Sequence, residues 1–128
     1  GVDVNRVSLL VAVMEKRLGI HLSHQDIFLN IAGGMRVEEP AVDLGVVAAI
    51  ASNFRDQLID PEMAVFGEVG LGGEVRGVSQ SEIRAKEATR LGFKRCLLPK
   101  QNQEKMRGMK GIELIGIRTI QEAMKGLF

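Results

Sequence analysis

The stretch FGEVGLGGEVRGVSQSEIRAKEATRLGF, residues 66–93, constrains the fold of this chain more than any other. Val65, Gly67, Val69 and Leu71 alternate with their neighbours, which is the period of a strand. Gly72-Gly73 supplies a turn that tolerates positive φ. Residues 74–78 alternate again and read as the returning strand. Ser79 followed by Glu82 has capping-box spacing, so a helix is predicted to start there. Gly92 stops that helix and Phe93 leads into another strand. The unit is hairpin, helix, strand. A strand-to-helix junction of this kind gathers unpaired backbone N–H groups and the positive end of a helix dipole, and enzymes of several kinds place chemistry there.

At 128 residues the chain reads as a single domain, residues 1–128. No apolar run approaches the ~18 residues of a membrane span, and no signal-peptide pattern opens the sequence. The single cysteine, Cys96, has no partner for an internal disulfide. These features predict a soluble, cytoplasmic protein. There is no Trp or Tyr, which argues against a site built on stacking nucleic-acid bases. The net charge of +1 conceals an uneven distribution. Between residues 38 and 62 stand Glu38, Glu39, Asp43, Asp56, Asp60 and Glu62 against Arg55. Between residues 94 and 110 stand Lys94, Arg95, Lys100, Lys105, Arg107 and Lys110 against Glu104. The pattern reads as a polyanion site, as a charge-complementary contact between subunits, or as solvated surface.

Taken in order, Val4, Val7, Val11, Met14 and Leu18 recur at helical spacing, with Asp3 or Asn5 at the start and Gly19 at the end. Arg6 falls in the first turn, where a cation opposes the helix dipole; a ligand or a pair with Asp3 would explain it. His21 and His24 lack enough neighbouring ligands for a metal site, and none is predicted. Residues 26–32 read as a strand, broken by Gly33-Gly34. Glu38-Glu39-Pro40 announces a helix whose apolar face holds Leu44, Val47, Ala48, Ala51 and Phe54. Asp43 in its first turns is either solvated or paired across an interface. Asp60-Pro61 is a turn. After the 66–93 unit come a strand over 94–98 ended by Pro99, a polar and basic stretch over 100–111 with one helical turn near 101–106, and a strand over 112–117. A final helix runs to Lys125, opened by a second capping box, Thr119 with Glu122.

Nucleotide-binding and hydrolase motifs are lacking. No G-x-x-x-x-G-K-[ST] occurs, and Val75 stands where the dinucleotide fingerprint needs its third glycine. None of Ser8, Ser23, Ser52, Ser79 and Ser81 lies in G-x-S-x-G.

The run from Phe66 to Arg76, then residues 84–93 with Lys86-Glu87-Ala88 and Leu91-Gly92, resembles the C-terminal Lon-protease-like domain of the bacterial RadA (Sms) family. So do Asn5-Arg6 with Leu9-Leu10, Glu15-Lys16-Arg17, Gln25-Asp26, Gly33-Gly34 and Glu39-Pro40-Ala41 with Asp43-Leu44. These matches are ordered and cover nearly the whole chain. The resemblance implies an α+β fold, a two-layer mixed sheet with packed helices similar to the Lon proteolytic domain. It implies that the N-terminal strands of the family domain are missing and that the chain is a fragment of a longer one. The proteolytic relatives use a Ser–Lys dyad, with Ser in G-P-S-A-G and Lys in G-G-L-K-E-K. Here those places hold Ala41 and Glu82. A methyl group cannot attack a carbonyl, so the expectation is a fold without the protease chemistry.

The resemblance further implies a DNA repair and recombination protein that assembles as a homo-oligomer, a hexameric ring, and drives branch migration with ATP. The motor and its ATP, Mg and Zn would lie upstream, with no cofactor in this stretch. DNA, single-stranded or branched, and a recombinase are the implied partners. Arg6, Arg36, Arg84, Lys100 and Lys105 are the residues selected as phosphate contacts. The competing readings are a purely structural oligomerisation scaffold and an active Ser–Lys peptidase using an unrecognised serine.

Overall fold

The computed structural model describes residues 4–22 and 39–128. The predicted strand over 26–32, the Gly33-Gly34 break, Asp3, His24, Arg36 and Glu38 lie outside the described residues. Helix α1 is Val4–Leu18. A 3₁₀ turn, Pro40–Val42, leads into α2, Asp43–Arg55. Strand β1 is Met63–Val65, and the hairpin is β2, Glu68–Val69, with β3, Val75–Arg76. Then follow α3, Ser81–Arg90; β4, Arg95–Pro99; α4, Lys100–Glu104; β5, Glu113–Ile117; and α5, Ile120–Leu127.

Strands β1, β4 and β5 form a parallel sheet with β4 in the centre, in the register Met63–Arg95 and Arg95–Glu113. The hairpin β2–β3 is a separate antiparallel pair. The fold is therefore mixed α and β, as expected. Side-chain alternation assigns the two faces of the sheet. Met63, Val65, Leu97, Ile115 and Ile117 pack with α1, α2 and α5 around Val7, Leu10, Met14, Leu44, Val47, Ile120 and Met124. Phe66, Cys96 and Leu98 face the other way and pack with Ala85 and Ala88 of α3, Met106 and Ile112. One face carries the larger core, the other a smaller one made with small α3 residues.

Several elements follow from local chemistry. Val7, Val11 and Met14 of the predicted stripe are buried on α1, and Gly19 ends the helix at φ +67°. The second capping box forms: Thr119 Oγ1 accepts from the Glu122 N–H at 3.1 Å, and the Glu122 carboxylate accepts from the Arg118 N–H at 2.9 Å. Gly92, at φ +97°, closes α3.

Elsewhere long-range bonds overrule the local reading. The Ser79–Glu82 box does not cap α3. That helix begins at Ser81, behind a left-handed Gln80 and with no side-chain cap. The turn is held from outside: Asn102 accepts from the Val78 N–H at 2.9 Å and donates to the Val78 carbonyl at 3.0 Å. Arg84 Nε donates to the Ser79 carbonyl at 3.0 Å. The alternation from Val65 to Leu71 is likewise not one strand. It breaks at Gly67, whose N–H donates to the Ala41 carbonyl at 2.8 Å and whose carbonyl accepts from the Leu44 N–H at 3.0 Å. That exchange fastens the β1–β2 link onto the start of α2. Phe54, assigned to the buried face of α2, is 47 % exposed.

Candidate nucleic-acid interface

Asp43 opens α2, a favourable place for an anion. Its carboxylate accepts from Arg6 Nε at 2.8 Å and bonds Arg6 Nη2 as well, a two-pronged guanidinium pair. It also accepts from the Val69 N–H at 3.0 Å. Asp43 is 1 % exposed. It is thus neither solvated nor committed to another subunit, but ties α1, α2 and β2 together. Arg6, awkward at a helix start, is explained by this contact rather than by an exogenous anion.

Ala41, the position of the missing nucleophile, is buried in the 3₁₀ turn. It lines a groove of about 310 Å³ with Phe66, Ala88, Leu91 and Phe93. Across that groove Arg84 pairs with the Glu39 carboxylate. Glu82 does not line it. Glu82 faces a second cleft and bonds Lys86 one turn on, at 3.3 Å.

That second cleft, of about 430 Å³, lies between α3 and the segment joining α4 to β5, and Lys86, Thr89, Lys105 and Lys110 line it. Met106 and Met109 separate it from a neighbouring hollow of about 310 Å³ lined by Lys100, Gln103, Glu104 and Arg107. The two form one surface with five cations against Glu82 and Glu104. Lys105, Arg107 and Lys110 make no ion pair among the described residues, and Lys100 donates only to the neutral Gln103 amide, at 3.0 Å. The acidic stretch contrasts with this. Glu39 pairs with Arg84, Asp43 with Arg6, and Asp60 and Glu62 with Arg95. Asp56 alone of the described acids there makes no ion pair.

Of the five residues selected from the sequence, Lys100 and Lys105 share this basic surface. Arg84 and Arg6 are held by carboxylates, and Arg36 lies outside the described residues. Lys86, Arg107 and Lys110, not selected from the sequence, line the same surface. Arg107 and Lys110 carried a signal, since both belong to the basic stretch. Lys86 had only its place on the α3 face turned toward that stretch, which sequence does not reveal. His21 is fully exposed, 3.7 Å from the Glu15 carboxylate. Among the described residues no helix is long and apolar enough to cross a membrane.

A family model described as "Subunit ChlI of Mg-chelatase" matches residues 5–102. That description speaks of another protein of the family. Among curated proteins, the chain is 52 % identical over 125 residues to DNA repair protein RadA of Bacillus subtilis, covering 98 % of this chain and 27 % of that protein. It is 52 % identical over 120 residues to DNA repair protein RadA of Synechocystis, covering 94 % and 22 %. It is 45 % identical over 128 residues to DNA repair protein RadA of Streptococcus pneumoniae, covering 100 % and 30 %. The chain therefore spans between a fifth and a third of the length of these relatives. The chain belongs to the ChlI-type domain family, and nearly all of it matches one stretch of bacterial DNA repair proteins named RadA.

Proposed function

We propose that this chain is a non-catalytic module of a DNA repair protein and that it binds DNA phosphates through Lys86, Lys100, Lys105, Arg107 and Lys110. The observation that carries the reading is the unequal fate of the two charged stretches. The acids of 39–62 are largely neutralised by arginines of the same chain, Arg95 among them, whereas Lys100, Lys105, Arg107 and Lys110 gather on one surface with no ion pair among the described residues. A surface of that kind attracts a polyanion and contributes affinity without sequence preference. Catalysis is not part of the proposal. The nucleophile position holds a buried methyl group, and an ion pair bridges the groove beside it. Ring assembly and an ATP-driven motor outside this chain complete the reading and rest on the family resemblance; the name its relatives carry supports the DNA-repair part alone.

The test is DNA binding by the full-length protein across a salt series, with each of the five changed to alanine and the oligomeric state measured in parallel. Each lost phosphate contact is expected to reduce the slope of log affinity against log salt by about 0.7–0.9. The loss should be the same for unrelated DNA sequences. Intact assemblies with unaltered slopes in all five variants would leave the scaffold reading standing instead.

A further inference from the structure

On the opposite side of the sheet from the basic surface, a cavity of about 360 Å³ opens where the last turns of α1 and α2 meet the side of α5. Ala51, Phe54 and Met124 contribute apolar walls, and Arg17, Arg55 and Lys125 stand around them. Among the described residues no carboxylate lines it. The three cations occupy the last turns of their helices, where the dipole favours positive charge. The dipole accounts for their sign. It does not account for the apolar hollow between them, nor for Phe54 standing half out of the core at its mouth.

Arg17, Arg55 and Lys125 make no ion pair among the described residues. The Arg55 guanidinium lies 4.6 Å from the centre of the Phe128 ring, a contact that orients the cation and leaves its charge intact. One α1 carbonyl that would offset positive charge is already taken, since Gln121 Nε2 donates to the Arg17 carbonyl at 3.1 Å.

An apolar hollow ringed by cations that have no ion pair among the described residues complements a ligand that is apolar in one part and anionic around it. A nucleic-acid backbone has the charge without the apolar part, and the 94–110 surface already suits it. We propose that this cavity docks a short acidic segment of a partner protein. One bulky apolar side chain sits against Ala51, Met124 and Phe54, and flanking carboxylates meet Arg17, Arg55 and Lys125. Buried apolar anchors with charged surrounds are the usual arrangement of a small interface hot spot, and Arg is over-represented there. Because the sheet separates this cavity from the basic surface, partner and DNA can be held together. The inference does not depend on the DNA-binding reading.

The experiment uses fluorescently labelled octapeptides bearing a single Phe, Leu, Ile or Trp between aspartates, titrated into the full-length protein. Binding by at least one of these peptides is expected, weakening with added salt. Replacing the apolar residue by Ser, or the aspartates by Asn, should each abolish it. Arg55→Glu with Lys125→Glu should weaken binding by about tenfold or more, and Phe54→Ala should also weaken it. All three positions are exposed, so melting temperatures should hold, and DNA affinity should not change. No peptide binding, equal binding to the Asn peptides, or unchanged binding by the charge-reversed variant would each overturn the proposal. So would a loss of DNA affinity in that variant with peptide binding intact, which would assign the cavity to nucleic acid.

Discussion

The acidic stretch of 39–62 and the basic stretch of 94–110 look like mirror images in the sequence, and the fold treats them in opposite ways. The acids are met by guanidinium groups from distant parts of the chain: Arg6, Arg84 and Arg95. Arg95 of the basic stretch is taken up in that pairing; the remainder of the stretch, rich in lysine, stays open. Lys86 is the only lysine with an ion pair among the described residues, and its partner is one helical turn away. The difference follows from side-chain chemistry. A guanidinium offers a planar fork that fits a carboxylate in two places and tolerates partial burial. An ammonium is compact and strongly hydrated, and loses more by leaving water. Charge runs in a sequence therefore say little about net surface charge until the arginines are separated from the lysines.

The largest effect that could break this comparison lies at Asp43. Removing it takes the buried carboxylate from the Arg6 guanidinium and leaves the Val69 N–H without its acceptor. Asp43→Ala is expected to destabilise the domain by about 3–5 kcal/mol in urea unfolding, the usual result of deleting one partner of a buried pair. The double change Arg6→Met with Asp43→Leu should recover part of that loss, since an apolar replacement removes the desolvation cost of the pair but leaves the Val69 N–H without an acceptor. A single variant as stable as the parent would mean that the pair is not formed as described.

A middle-sized effect comes from backbone rather than charge. Gly73 has φ +81°, and a Cβ there would lie 3.1 Å from Arg17 Cγ. Gly92 has φ +97° with open space around it. Gly73→Val should cost more than Gly92→Val, both within roughly 1–3 kcal/mol, because only the first adds crowding to strain. Equal melting of the two variants would remove the crowding argument.

The smallest effect sharpens the comparison at the surface end of the acidic stretch. The Glu62 N–H and then Arg95 hold the Asp60 carboxyl below the usual aspartate range, and Arg76 and Arg90 do the same for Glu74 and Glu87. A carboxyl with a lowered folded pKa stabilises above its unfolded pKa and ceases to do so as pH falls through the folded value. The stability of the domain should therefore fall below about pH 4. Asp60→Asn should make the acid limb of a urea-midpoint profile shallower; an unchanged limb would show that the Asp60–Arg95 pair is not maintained in solution.

Much of the fold was legible because its signals are local. The α1 stripe, the Gly92 stop, β4 before Pro99 and the Thr119–Glu122 cap each depend on residues a few positions apart. The misreadings share a different cause. Ser79 does not cap α3, because the turn before the helix is held by Asn102 bonding Val78, and the 65–71 alternation is cut by bonds from Gly67 to Ala41 and Leu44. Arg6 finds its partner 37 positions away. In each case the deciding contact is long-range, and no spacing rule contains it. The candidate site was legible in part for the same reason. The basic stretch is contiguous and was noticed; Lys86, brought to it by packing of α3, was not.

Cys96 gives the smaller core a property of its own. It is wholly buried in β4 against the α3 side, and that burial pushes its thiol up to about 12. At neutral pH it has almost no thiolate, so electrophiles find nothing to attack while α3 and its neighbours stay seated. Reaction requires that layer to lift off the sheet, a local opening that need not disturb the larger core on the other face. The rate at which this one sulfur becomes alkylated thus times the breathing of a single layer, a clock already present in the natural sequence.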